Sequence, residues 1–139
     1  MTARLDHVGV SVPDLTVAVA WYREALGLTE ERAFAVPGTD LRGVMLRHHS
    51  GYRVELLHRP QAAPGLLADS PLEAAGTLGY GHLCLAVDTA DEVDSEFARL
   101  VAAGAGVRMS PRPAPRPGGR MAFVSDPFGN LIELINRFD

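Results

Sequence analysis

Residues 5–28 read Leu5-Asp6-His7-Val8-Gly9-Val10-Ser11-Val12, then Pro13-Asp14, then LTVAVAWYREAL and Gly27-Leu28. Val8, Val10 and Val12 alternate with His7, Gly9 and Ser11, the two-residue period of a half-buried strand over 5–12. Pro13 stops that strand, and Asp14 offers its carboxylate as a helix N-cap. Leu15, Val19, Tyr22 and Leu26 then recur at helical spacing, and Gly27 is suited to end the helix. Strand followed at once by helix sets the pattern for the chain. Three further strands are expected over 29–36, 41–48 and 52–58, with turns at Pro37-Gly38 and Ser50-Gly51. The first half therefore reads β-α-β-β-β.

The pattern then restarts. A proline-rich connector, 60–78, holds Pro60, Pro64 and Pro71 and room for one short helical turn. Residues 81–87 alternate Leu83, Leu85 and Val87 with His82, Cys84 and Ala86. Thr89 or Asp91 caps a helix that runs to about residue 103, where Gly104 ends it. A short strand is expected at 107–109 and a loop with four prolines at 110–119. Strands follow at 121–125 and 131–137, joined by the turn-forming Asp126-Pro127-Phe128-Gly129-Asn130. His7 and His82 lie 75 positions apart, as do Val12 and Val87, and Tyr22 and Phe97. Glu55 and Glu133 sit in matching tripeptides, Val54-Glu55-Leu56 and Ile132-Glu133-Leu134. An internal repeat of this kind is a structural unit used twice. The expectation is an α+β fold of two βαβββ modules, 1–59 and 79–139, joined through 60–78 into one domain, 1–139. Their mixed sheets would form a cup, with the helices outside.

Composition narrows the function. The chain has 139 residues, enough to bury a core without staples, and one cysteine, which excludes an intrachain disulfide. Thirteen basic residues against seventeen acidic ones give a net charge of −4, which argues against a nucleic-acid partner. No apolar run is long enough to span a bilayer, so no membrane partner is expected. Residues 1–12 carry no basic-then-apolar leader, and a cytoplasmic location is expected. Every basic residue is Arg, so lysine chemistry is excluded.

Strand alternation assigns faces. The valines and leucines face the helix of their own half, which sends His7, Glu55, His82 and Glu133 to the opposite face. Each alone reads as a structural residue, and Arg53 or Arg137 would suffice to pair a strand glutamate. Matched placement in two repeats argues instead for a shared task. Two imidazoles and two carboxylates suit one divalent transition metal (Zn, Ni, Co, Mn or Fe(II)) with open positions for substrate. Arg108, Arg112, Arg116 and Arg120 surround the proline-rich loop of the second half. Arg112, Arg116 and Arg120 are candidates to clamp a substrate carboxylate or phosphate. Cys84, on the face of His82, is a candidate lining residue, expected as a buried and inert thiol.

These residues resemble the vicinal oxygen chelate superfamily, which includes glyoxalase I, methylmalonyl-CoA epimerase, extradiol dioxygenases, and fosfomycin and bleomycin resistance proteins. The carriers are Leu5-Asp6-His7-Val8-Gly9-Val10, Trp21 to Leu28, Gly79-Tyr80-Gly81-His82-Leu83, and Asp126 to Leu134. The resemblance covers nearly the whole chain and implies two βαβββ modules around a metal held by His7, Glu55, His82 and Glu133. It implies a metal-dependent isomerase or epimerase, or a glyoxalase-like lyase, in which Glu133 or Glu55 moves a proton on a small substrate with vicinal oxygens. The alternatives are a non-catalytic protein that binds an antibiotic or aromatic ligand, and an extradiol-type dioxygenase. A homodimer is implied too. Ser11 and Arg59 stand where glyoxalase I typically has a glutathione-binding Arg and an Asn, which points away from glutathione. The short segment before Glu133 points away from coenzyme A.

Overall fold

The computed structural model describes residues 2–137. The elements run β1 (Val8–Ser11), α1 (Leu15–Leu26), β2 (Thr29–Ala35), β3 (Arg42–Arg47), β4 (Arg53–His58), α2 (Pro71–Ala75), β5 (Leu83–Val87), α3 (Ala90–Ala102), β6 (Gly106–Pro113), β7 (Arg120–Ser125) and β8 (Leu131–Asn136). The chain divides into two compact units, Met1–Ala63 and Pro64–Asp139. Each is a βαβββ module, and the fold is α+β.

Each unit holds one four-stranded mixed sheet, ordered β1-β4-β3-β2 in the first and β5-β8-β7-β6 in the second. The first strand of each module runs parallel to its last, and the remaining pairs are antiparallel. A helical crossover is what a parallel pair requires, and α1 and α3 supply it. Helix α1 starts where the Asp14 carboxylate accepts from the Val17 N–H at 3.0 Å, and it ends at Gly27, whose φ of 68° is the left-handed cap. Helix α3 starts with a full capping box, in which Thr89 and Glu92 bond each other's backbone.

Register places the core. In the first unit Val8 pairs with Val54 and Val10 with Leu56, while Leu46 and Val44 continue the same rows. Val44, Leu46, Val54 and Leu56 are buried, and α1 packs on β3 and β4 with Ala18, Trp21, Tyr22 and Ala25 buried. In the second unit Ile132, Leu134, Val124 and Ala122 are buried, and Val93 and Leu100 of α3 pack on β7 and β8. Burial of each large side chain contributes roughly 1.5–3 kcal/mol. The apolar residues claim the helix face, so the residues between them take the other.

Two expectations change. Residues 5–7 and 81–82 precede the strands, so His7 and His82 sit one residue before β1 and β5. The expected loop at 110–119 is strand as far as Pro113, with Arg112 paired to Met121 and Pro113 to Arg120. β6 is an edge strand with two register shifts, and there a proline's missing N–H costs no ladder bond. From Pro64 the connector belongs to the second unit. Ala68 and Ala74 bury against Leu131, with Leu66 beside them.

Candidate metal centre

In the first unit Gly9, Glu55 and Met45 are register partners across β1, β4 and β3, on the face away from α1. His7 lies two residues before Gly9 and shares that side. Its Nε2 is 3.7 Å from Glu55 Oε1, and its Nδ1 lies 2.8 Å from Asp6 Oδ2. A carboxylate accepts only, so the Nδ1–H donates to Asp6, and Nε2 is the ring nitrogen on the Glu55 side. A carboxylate behind an imidazole in this way fixes the tautomer that binds metal. Asp6 has a further partner in Arg53 at 3.8 Å. The His7 hydrogen bond, and then the Arg53 charge, hold the Asp6 carboxyl below the usual carboxylate range.

The second unit repeats the arrangement. Cys84, Glu133 and Phe123 are register partners across β5, β8 and β7. His82 Nε2 is 2.9 Å from Glu133 Oε2, and the His82 ring meets Phe123 edge-on at 5.1 Å. Glu133 is more sheltered than Glu55, with 15% of its side chain exposed against 20%. Position 81 is Gly where the first unit has Asp6.

Each unit thus brings one imidazole and one carboxylate together, as face alternation requires. Among the described residues, no three His, Cys, Asp or Glu side chains cluster in metal-holding geometry. The donors come as two pairs, one per unit. Their chemistry fits a divalent transition ion: two imidazole Nε2 atoms and two carboxylates are a borderline nitrogen and oxygen set. The hydrogen bond between His82 Nε2 and the Glu133 carboxylate is a contact that a metal ion held by both groups would replace.

The remaining candidates separate. Cys84 is exposed rather than buried. Partial desolvation of its thiol, and then the adjacent Glu133 carboxylate, push its pKa up to about 12, so it is protonated and unreactive at neutral pH. It is exposed because its side chain follows Glu133 to the face that α3 does not cover. Arg112 lies in the row of Met121, on the Glu133 side of the sheet. Arg116 lies in the loop after β6, and its charge acts on Cys84. Arg120 goes elsewhere. Its Nη2 lies 2.7 Å from Asp94 Oδ1 of α3 and its Nε meets the other carboxylate oxygen, so the structure does not bring it to Glu133. Arg53 pairs with Glu31 and Asp6 and not with a candidate ligand. Sequence reading missed Asp6 as the partner of His7, although its place immediately before a strand-edge histidine was the available signal.

The family model described as Glyoxalase/Bleomycin resistance protein/Dioxygenase superfamily matches residues 4–134. The mitochondrial methylmalonyl-CoA epimerase of Homo sapiens is 35% identical over 91 residues, 61% of this chain and 47% of that protein. The chain therefore spans about half the length of that relative. The ethylmalonyl-CoA/methylmalonyl-CoA epimerase of Cereibacter sphaeroides is 31% identical over 140 residues, 96% of this chain and 98% of that one. Among solved structures, a glyoxylase/bleomycin resistance protein/dioxygenase domain from Frankia sp. EAN1pec superposes with a TM-score of 0.78 at 20% identity, covering 100% of this chain and 95% of that one. Glyoxalase I from Zea mays gives 0.75 at 24% identity, covering 98% of this chain and 45% of that one. These two likenesses are of fold. Among the described residues, no helix is long and apolar enough to cross a membrane.

Proposed function

The chain belongs to the glyoxalase/bleomycin resistance protein/dioxygenase superfamily, and from that premise we propose that it is a metal-dependent epimerase of an acyl thioester. The substrate class is a coenzyme A thioester with a carboxylate on its α-carbon, which presents two carbonyl oxygens, one from each group flanking that carbon. The observation that carries the reading is the His–Glu pair, repeated in both sheets on the face away from the helix. The two epimerase relatives, one matched along nearly its full length, favour this branch over a glyoxalase-like lyase. They also count against reading the short Asp126–Asn130 segment as exclusion of coenzyme A.

His7, Glu55, His82 and Glu133 would hold one divalent transition ion. When bound, such an ion supplies positive charge that acidifies the C–H between the two carbonyl groups. The residues of the chain do the rest. Glu133 takes the α-proton: the C–H bond breaks, its electron pair moves toward the thioester oxygen, and the carbon becomes planar. Return of a proton to the other side of that carbon inverts it, and Glu55 is the second carboxylate available. No lysine exists to compete for either task. The protonated Cys84 thiol lies beside Glu133 as a weak hydrogen-bond donor. A homodimer is the proposed assembly.

The test is exchange of the α-hydrogen of methylmalonyl-CoA with solvent deuterium, followed by NMR on metal-loaded protein. Glu133→Gln should slow exchange by about 10²–10⁴-fold while substrate still binds. Exchange at the wild-type rate would remove Glu133 as the base. Tight binding of an aromatic drug by a wild type that turns nothing over would replace the enzyme reading with sequestration.

A further inference from the structure

The two sheets carry the same irregularity in the same place. Along β2, Glu30 pairs with Leu46 and Arg32 with Met45, which leaves Glu31 as an extra residue. Along β6, Val107 pairs with Val124 and Met109 with Phe123, which leaves Arg108 as the extra one. Met45 pairs with Glu55 and Phe123 with Glu133, so each bulge flanks the row that holds the candidate glutamate. Bulges at edge strands redirect a side chain, and here each redirects a charge.

The two charges fare differently. Glu31 is satisfied within its own unit. Arg53 donates to it through Nε at 2.9 Å and Nη2 at 3.1 Å, and Arg47 stands 3.7 Å away. Arg47 and Arg53 are partners in the adjacent row. In the second unit the corresponding row is Ser125 and Leu131, which carries no charge. Arg108 keeps a long backbone contact, Nη1 to the Val107 carbonyl at 3.3 Å. Its Nε is buried and has no hydrogen-bond partner among the described residues.

The guanidinium lies on the Glu133 side of the sheet. A Cβ placed on Gly106 would stand 3.3 Å from Arg108 Nη1 and 2.5 Å from Ser125 Oγ. Gly106 pairs with Ser125, and Ser125 shares a face with Phe123 two residues before it, hence with Glu133. The absent side chain at Gly106 is what leaves room for the guanidinium. A buried donor without a partner destabilises the site, and an incoming acceptor recovers that loss. Nε and an adjacent Nη form a fork that matches the two oxygens of a carboxylate or phosphoryl group. Neighbouring strands lie about 4.8 Å apart, so the backbones of Glu133 and Arg108, with β7 between them, are two strand spacings apart, roughly 10 Å.

We infer that Arg108 is a substrate-binding residue, held by the β6 bulge to receive an oxyanion, carboxylate or phosphoryl, of a molecule that reaches Glu133. The inference rests on the reading of the Glu133 face as the substrate face. It concerns binding and not turnover, so the two fail separately.

The experiment is calorimetric titration of the full chain with methylmalonate and, in a second arm, inorganic phosphate. At least one probe should bind, and Arg108→Gln should weaken it by at least about tenfold, with Arg108→Lys between the two. Loss confined to methylmalonate assigns a carboxylate, and loss confined to phosphate assigns a phosphoryl group. In parallel, the Arg108 Nε–H resonance of the wild-type protein should shift on addition of the binding probe, a readout that survives if the Gln variant does not fold. Equal affinity of wild type and Arg108→Gln, or an Nε–H resonance unmoved at saturation, overturns the inference. So does a wild type that binds neither probe. A protein that shows no α-hydrogen exchange but binds a probe through Arg108 supports the inference and defeats the epimerase reading.

Discussion

The two units share a frame and differ in where their polar groups are spent. Sheet order, helix placement, glutamate row and edge bulge coincide between them. In the first unit the polar residues close on one another: His7 leans on Asp6, Asp6 lies near Arg53, and Arg53 holds Glu31. In the second unit the residues at those places are His82, Gly81, Leu131 and Arg108, and the network is gone. His82 turns to Glu133 instead, and Arg108 keeps a buried donor without an acceptor among the described residues. In the proposed reading both units supply a His–Glu pair, and the second unit alone also presents an arginine to substrate. Repetition of a fold therefore does not imply repetition of a task.

The hairpin turns offer the largest contrast. Between β7 and β8 the Asp126 carboxylate is 1% exposed. It accepts from Phe128 N–H and Asn130 N–H, each at 2.9 Å, and from Asn130 Nδ2 at 2.8 Å. Between β3 and β4 the turn rests on exposed contacts of His48 with Ser50. Asp126→Ala should lose about 3 kcal/mol of stability in urea unfolding, because it strands buried donors. Ser50→Ala should lose less than about 0.5 kcal/mol. Equal losses would mean that the two turns do the same work.

The next contrast lies behind the histidines. Asp6→Asn should weaken metal affinity about 10-fold or more, measured by competition with a chelator. Gly81→Asp places a carboxylate where the second unit has none, with nothing among the described residues within 4 Å of the new Cβ. It should leave affinity unchanged or raise it. An Asp6→Asn protein with wild-type affinity would show that His7 needs no support.

The smallest expected effect is a pH dependence. The Arg53 hydrogen bond, and then the Arg53 charge, hold the Glu31 carboxyl below its ordinary 4.5. A lowered native pKa contributes stability above the unfolded value, and that contribution is lost as pH falls through the native one. The stability difference between wild type and Glu31→Gln should therefore shrink between about pH 6 and about pH 3. A constant difference across that window would show that the pair holds no charge-dependent stability.

Much of this was legible in the chain because period two leaves no freedom. Once Val54 and Leu56 are buried, Glu55 has one face left, and the same holds for Glu133 between Ile132 and Leu134. β6 was not legible past residue 109, because its prolines read as loop until the strand is known to lie at an edge. The fate of Arg108 was equally hidden. It depends on which residues stand across two strands, at positions 125 and 131, and a register shift set by pairing decides that. The place of Asp6 immediately before His7 was a signal, but a weak one, because a solvated carboxylate occurs at such a place as readily as a supporting one.

The central claim is that two His–Glu pairs, one per unit, serve a single metal ion. Elemental analysis of dialysed wild type, His7→Ala and His82→Ala tests it directly. The account predicts one divalent transition ion per pair of units in the wild type, and loss of most metal when either histidine is removed. Unchanged stoichiometry in both variants would contradict it.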